Sequence, residues 1–254
     1  MADDVWDPDL YQRFLAERTK PGLDLIALVL PAESMRIADL GCGTGKLTAE
    51  LHGKLTAAST LGVDSSPAML EQANVLAQPG LHFEQADILT WSPAVKLDLV
   101  FSNAALQWLG DHPGLLRKLS GWLAEKGQLA IQVPQADDHP SHTVATRLGE
   151  KYGTGPLYPG RHNVLSPEGY SELLFHMGFE QQQVFSRIYG HLLPSLDAMV
   201  QFFRSTLLNP WRKALGEDGF KAFLQEYREA LKAELGEPEP LFFPMKRTLI
   251  WARR

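Results

Sequence analysis

The stretch that most restricts what this chain can fold into is Ala38-Asp39-Leu40-Gly41-Cys42-Gly43-Thr44-Gly45-Lys46, a short apolar run that ends in an acid and then passes through three glycines. Met35 to Leu40 reads as a buried strand, and Leu47 to Leu55 has the apolar spacing of a helix. Glycine accepts positive φ without steric cost, and its missing Cβ lets a ligand touch the backbone. A strand, a glycine turn and a helix start in immediate succession form a cradle for a nucleotide or nucleoside.

Spacing separates the known cradles of this kind. A phosphate-gripping loop needs glycine where Leu40 stands and Ser or Thr where Leu47 stands. A dinucleotide fingerprint needs Gly or Ala where Lys46 stands, so that helix and strand pack closely, which weighs against a NAD-type oxidoreductase. What remains, D-L-G-x-G-x-G, resembles the first motif of the S-adenosylmethionine methyltransferases. That resemblance implies a ligand without pyrophosphate, whose amino-acid end and sugar lie along Gly41 and Gly43, with Asp39 before the turn suited to its positive charges.

A lone glycine loop is a weak signal, and further strand ends strengthen it. Leu61-Gly62-Val63-Asp64 is a second short strand ending in an acid, placed for a carboxylate to accept from ribose hydroxyls. Ser65-Ser66-Pro67 then starts a helix that carries Met69. Asp87 follows Leu81-His82-Phe83-Glu84 at the end of a third strand, and the family motif it matches puts a polar group and an apolar neighbour, here Ile88, on the adenine. Leu97 to Ser102 is a fourth strand, apolar as a parallel strand covered on both faces should be. Because open α/β sheets bind ligands beyond their strand C-termini, Asn103, Ala104, Gln107 and Trp108 fall at the site. The plainer alternative is that Asp39, Asp64 and Asp87 are helix caps or surface turns, and that Trp108 packs in the core.

The chain of 254 residues is long enough to bury a full core, and its net charge of −6 argues against a nucleic-acid partner. No apolar run is long enough for a membrane span, the acidic N-terminus is unlike a signal peptide, and one cysteine excludes an internal disulfide. A cytoplasmic enzyme acting on a small molecule is expected, with no assignment of oligomeric state. Trp6 to Arg18 reads as a helix that either packs on the core or folds over the cofactor and offers Tyr11 and Arg18; a second helix spans Pro21 to Val29. A helix from Leu115 to Leu123 precedes a fifth strand, Gln128 to Val133. From Pro134 to Leu165 periodicity is lost, and a long functional loop is expected to carry Tyr158, Arg161 and His162. His139 and His142 near two aspartates lack a second ligand cluster, so no metal is expected. A helix from Ser166 stops at Gly178, and Gln183 to Leu193 and Phe243 to Trp251 are the sixth and seventh strands. Between those strands, helices over Ser195 to Leu208 and Gly219 to Leu235 are joined through Asn209-Pro210-Trp211-Arg212.

This pattern looks like a class I S-adenosylmethionine methyltransferase. The resemblance implies an α/β, Rossmann-like, seven-stranded, mostly parallel sheet with helices on both faces, an antiparallel last strand and helical lid insertions. It divides the chain into N-terminal helices (1–34), a cofactor-binding core (35–133), a loop insertion (134–165) and the rest of the core with a substrate-covering insertion at about 195–236 (166–254). The whole chain also resembles the bacterial trans-aconitate 2-methyltransferases, from Trp6-x-Pro8-x-Leu10-Tyr11 through Asp64-Ser65-Ser66-Pro67-Ala68-Met69, Asn103-Ala104-x-Leu106-Gln107-Trp108 and Pro210-Trp211 to Ala252-Arg253-Arg254. That resemblance implies methyl transfer to one carboxylate of an unsaturated tricarboxylic acid, by positioning and without a catalytic side chain. An acidic protein must then supply local positive charge, for which Arg18, Arg161, His162, Arg212, Lys246 and Arg247 are available, with Tyr11, Trp108, Tyr158 and Trp211 as further substrate contacts. The alternative is a methyltransferase acting on a phenol, amine or quinone precursor, which would need a general base.

Overall fold

The computed structural model describes residues 19–158, 163–204 and 207–254. The chain divides into two compact units, one of residues 1–134, 164–187 and 247–254 and the other of 135–163 and 188–246. The N-terminal helix expected over Trp6 to Arg18 lies outside the described residues.

The first unit is built on the expected sheet. Helix α1 (residues 19–26) leads into β1 (Arg36–Leu40), α2 (Lys46–Leu55), β2 (Ser59–Asp64), α3 (Pro67–Ala73), β3 (Leu81–Gln85), β4 (Leu97–Asn103), α4 (His112–Gly121) and β5 (Leu123–Pro134). In chain order, α5 (Pro140–Lys151), α6 (Pro167–His176), β6 (Gln181–Leu193), α7 (Leu196–Arg204), α8 (Asn209–Leu235) and β7 (Leu241–Arg253) follow. The seven strands are ordered β3-β2-β1-β4-β5-β7-β6, with β1 to β5 parallel and β7 antiparallel to β5. The order reverses between β1 and β4, so the strand ends open a crevice there.

Alternation along the strands assigns their faces. Ala38, Leu40, Val100, Leu129, Ile131, Val133 and Ile250 join one cluster with Leu115, Leu116 and Leu119 of α4 and Tyr170, Leu173 and Leu174 of α6. Asp39, Phe101, Asn103 and Gln132 therefore face the other way, toward the side on which Thr48 of α2 meets Asp39.

Several elements differ from the sequence reading, among them α8, which takes in Asn209-Pro210-Trp211-Arg212 where a link between helices was expected and so begins at Asn209 rather than Gly219. Helix α1 ends at residue 26 rather than Val29, because Leu28 and Val29 donate to Leu25 and Ile26 in tight three-residue turns. Helix α4 starts at His112 and stops at Gly121, not Leu123, since the Asp111 carboxylate caps the Gly114 N–H at 3.0 Å and Leu123 pairs with Leu97 in the sheet. The expected loop over Pro134 to Leu165 contains helix α5, capped by the His139 side chain on Ser141 N–H, with Pro140 in its first turn.

The second unit buries an aromatic column along α8. Phe220, Phe223 and Tyr227 recur at helical spacing, and Trp211 stacks on Phe223 at 5.9 Å between centroids. Gly149 of α5 admits this ring, since a Cβ there would lie 2.4 Å from Trp211 Nε1. Tyr227 donates to the Ser141 carbonyl at 2.9 Å, tying α8 to α5. A backbone break at Gly216 (φ 67°, ψ 176°) divides α8.

Candidate functional site

The glycine turn is held by the neighbouring strand. Gly41 and Cys42 donate to the Val63 carbonyl at 2.7 and 3.1 Å, and Gly43 N–H donates to Asp64 Oδ2 at 2.9 Å. Two of the glycines serve different needs. Gly41 has φ +76° and faces Ala105, whose Cβ would lie 2.2 Å from an added Cβ, so the loop passes close beneath the β4 end. Gly43 has φ +55° and nothing within 4 Å of where a Cβ would be, which leaves its surface open to a ligand.

Asp64 has two tasks. Its Oδ1 accepts from Ser66 N–H at 2.9 Å while Oδ2 holds Gly43, so one carboxylate joins the turn to the start of α3. A carboxylate offers about four lone-pair positions, so capacity is left for sugar hydroxyls. Asp39 behaves differently from the open acid that the sequence implied. It is 2% exposed, accepts from Thr48 Oγ1 at 2.6 Å, and its pKa is pushed up to about 7, chiefly by burial and further by the Asp64 charge, against the Thr48 hydrogen bond. The structure therefore puts this acid beneath the loop, acting through the field rather than from the surface. Cys42 is also buried, which raises its thiol pKa and keeps it a packing residue.

Ser65 and Met69 are exposed at the start of α3, where Ser66 Oγ accepts from Met69 N–H at 3.4 Å. Asp87 is exposed and caps its own turn through Leu89 N–H at 2.8 Å, while Ile88 reaches toward Gly41. At the β4 end, Ala104 takes a left-handed conformation (φ 55°), a placement that costs an ordinary residue roughly 1–2 kcal/mol. Gln107 Nε2 braces it by donating to the Ala104 carbonyl at 2.8 Å. The turn beyond is fixed from below: His112 Nε2 donates to the Leu106 carbonyl at 3.0 Å, and Tyr170 Oη donates to His112 Nδ1 at 2.5 Å. Burial lowers the His112 pKa and keeps it the neutral ring this arrangement needs. Trp108, at the tip, is 41% exposed.

The substrate-contact expectations are scattered. Tyr11, Arg18, Arg161 and His162 lie outside the described residues. Tyr158, in the second unit, is buried with its ring edge-on to His142 at 5.2 Å. Trp211 is fully buried in the aromatic column and presents no surface. Arg212 is engaged by Glu217 and Lys246 by Asp138. Arg247 stands opposite Pro134, at the end of the β5–β7 pairing. His139 and His142 both meet Ser141 Oγ, at 2.9 and 3.0 Å, and the described residues contain no group of three metal-ligating side chains.

Sequence reading missed Gln132. It is 1% exposed, near the end of β5, in register with Asn103. Asn103 Oδ1 and Gln132 Nε2 are both buried without a hydrogen-bond partner. Its only signal in the sequence is one polar residue in an otherwise apolar strand end, Ile131-Gln132-Val133.

The family described as methyltransferase domain matches residues 11–184. A trans-aconitate 2-methyltransferase of Deinococcus radiodurans is 38% identical over 98% of both chains. Among solved structures, the YcgJ protein from Bacillus subtilis superposes with a TM-score of 0.60 at 17% identity, covering 92% of this chain and 98% of that one. Phosphoethanolamine N-methyltransferase 2 of Haemonchus contortus, solved with S-adenosyl-L-methionine, superposes with a TM-score of 0.57 at 15% identity over 92% of this chain and 52% of its own.

Proposed function

Since the chain belongs to the trans-aconitate 2-methyltransferases of the methyltransferase-domain family, we propose that it transfers the methyl group of S-adenosylmethionine to one carboxylate of trans-aconitate, forming a monomethyl ester. The observation that carries the cofactor is the open surface over Gly43, with Asp64 holding the turn, and, on the strand next to β1, a buried Asn103 Oδ1 without a hydrogen-bond partner. These residues fit a nucleoside with an amino-acid end. Asp64 suits the sugar hydroxyls, Ile88 the base, and Asp39, once ionised above its pKa of about 7, lends negative field to a cationic ligand.

When bound, the cofactor supplies an electrophilic methyl group on a sulfonium. The residues of the chain then have to align and desolvate. A carboxylic acid of ordinary pKa, about 4, is already ionised at neutral pH, so no side chain need remove a proton from it. The buried, neutral His112 is committed to Leu106 and Tyr170 and holds the Gln107–Trp108 turn still, which is positioning rather than base chemistry. Holding two reactants in line can supply roughly 7–11 kcal/mol of barrier reduction. Positive charge for the remaining carboxylates is assigned to Arg247 and to Arg18, Arg161 and His162. Work in a reducing compartment such as the cytoplasm fits the single buried cysteine.

Incubation with methyl-labelled S-adenosylmethionine and a panel of small polycarboxylates, phenols and amines tests the reading. A labelled monomethyl ester of trans-aconitate is expected. Turnover of a phenol or amine with none on any carboxylate would overturn it.

A further inference from the structure

We propose that Gln132 contacts the acceptor, its amide N–H donating to a carboxylate oxygen of the substrate and so selecting an anion-bearing acceptor. Three observations carry this, and it rests on the carboxylate-methylation reading above.

The first is the orphaned donor. Gln132 is 1% exposed and its Nε2 has no partner, a state that buried amides rarely keep unless something else completes them. The second is position. Gln132 pairs with Asn103 on one side and Leu249 on the other, and Arg247 lies two residues from Leu249, so Asn103, Gln132 and Arg247 share one face at adjacent strand ends. The Gln132 carbonyl also accepts from Ala104 N–H at 2.9 Å, which locks this residue to the turn beside the cradle.

The third is polarity. The cradle occupies the ends of β1 and β2, so along the sheet β4 comes next and β5 lies farther out. The orphan on β4 is an acceptor, Asn103 Oδ1, and suits the ammonium of the cofactor's amino-acid end. The orphan on β5 is a donor, Gln132 Nε2, and suits a ligand that offers only acceptors, as an ionised polycarboxylate does. The cationic Arg247 on the same face extends that donor row outward. The two orphans thus sort the two ligands by hydrogen-bond sign.

Gln132→Met and Gln132→Glu test this in the full chain, with KM for trans-aconitate at saturating S-adenosylmethionine, calorimetric affinity for S-adenosylhomocysteine, and ligand-free Tm. Gln132→Met should raise KM at least tenfold, leave S-adenosylhomocysteine affinity within twofold, and leave Tm equal or higher, because it removes an unsatisfied donor. Gln132→Glu, of the same shape but anionic, should raise KM at least a further tenfold. A KM within twofold of wild type for Gln132→Met, a parallel loss of S-adenosylhomocysteine affinity, a Glu variant as good as the Met variant, or a Tm lowered by several degrees in Gln132→Met would each overturn the proposal. Should the wild type bind S-adenosylhomocysteine yet leave trans-aconitate unmethylated, it is the proposed function that fails.

Discussion

Asp39→Asn should make the ligand-free protein more stable at alkaline pH than the wild type, by an amount that builds up as pH rises from 3.8 to about 7 and then levels off. The carboxyl is buried under the glycine turn, with Thr48 as its hydrogen-bond donor and the Asp64 charge nearby, and its pKa rises from 3.8 to about 7. A raised folded-state pKa means that the native state binds the extra proton. The stabilising contribution is complete below 3.8 and is lost as pH rises through 7. At about 1.4 kcal/mol per pKa unit, the loss between pH 5 and pH 8 comes to about 2–3 kcal/mol. Burial lowers the His112 and His139 pKa values, which gives the opposite slope near pH 6, but both proteins contain these groups and they cancel in the difference. Urea unfolding of both proteins at pH 5 and pH 8 measures it. The Asn variant should gain about 2–3 kcal/mol on the wild type between the two pH values and, lacking the charge, bind S-adenosylmethionine more weakly at pH 8. A stability difference that is the same at both pH values would refute the argument that Asp39 resists ionisation.

Three further outcomes are expected. Asp64→Ala removes the acceptor for both Gly43 and Ser66 N–H; at about 1.5–3 kcal/mol for each hydrogen bond to a charged group, S-adenosylhomocysteine affinity should fall at least tenfold, and calorimetry with an unchanged Kd would show the bracing to be idle. Deleting residues 1–18 should leave a folded core, seen as a cooperative thermal unfolding transition, with little turnover, whereas full activity would reduce that segment to packing. With both substrates saturating, kcat should be flat between pH 6 and 8, because the acceptor is already ionised and His112 is committed to structure; a single ionisation in that range, removed by replacing one histidine, would restore the phenol or amine reading.

Much of this protein is legible in the chain because it depends on local demands. The positive φ values at Gly41 and Gly43 are needs of a few consecutive residues, and glycine declares them. The strands that end at Leu40, Asp64 and Asn103 announce themselves as apolar runs with a polar residue, Asp39, Asp64 or Asn103, at or next to their last position, and their parallel pairing follows from the alternation with helices. Helix α5 escaped notice because the Gly, Pro and His around it read as loop, while its buried face, Ser141, His142, Val144, Ala145 and Leu148, is apolar enough only when set against α8. Other properties belong to the tertiary structure alone. That Asp39 holds a proton near neutrality comes from burial under a turn and from Asp64, twenty-five positions away in sequence, and no local pattern encodes a dielectric environment. That Ala104 is left-handed depends on Gln107 and the neighbouring strand end. The pairing of Asn103 with Gln132 is a register between strands separated by a helix, and whether their amides meet a partner is decided only when the sheet closes.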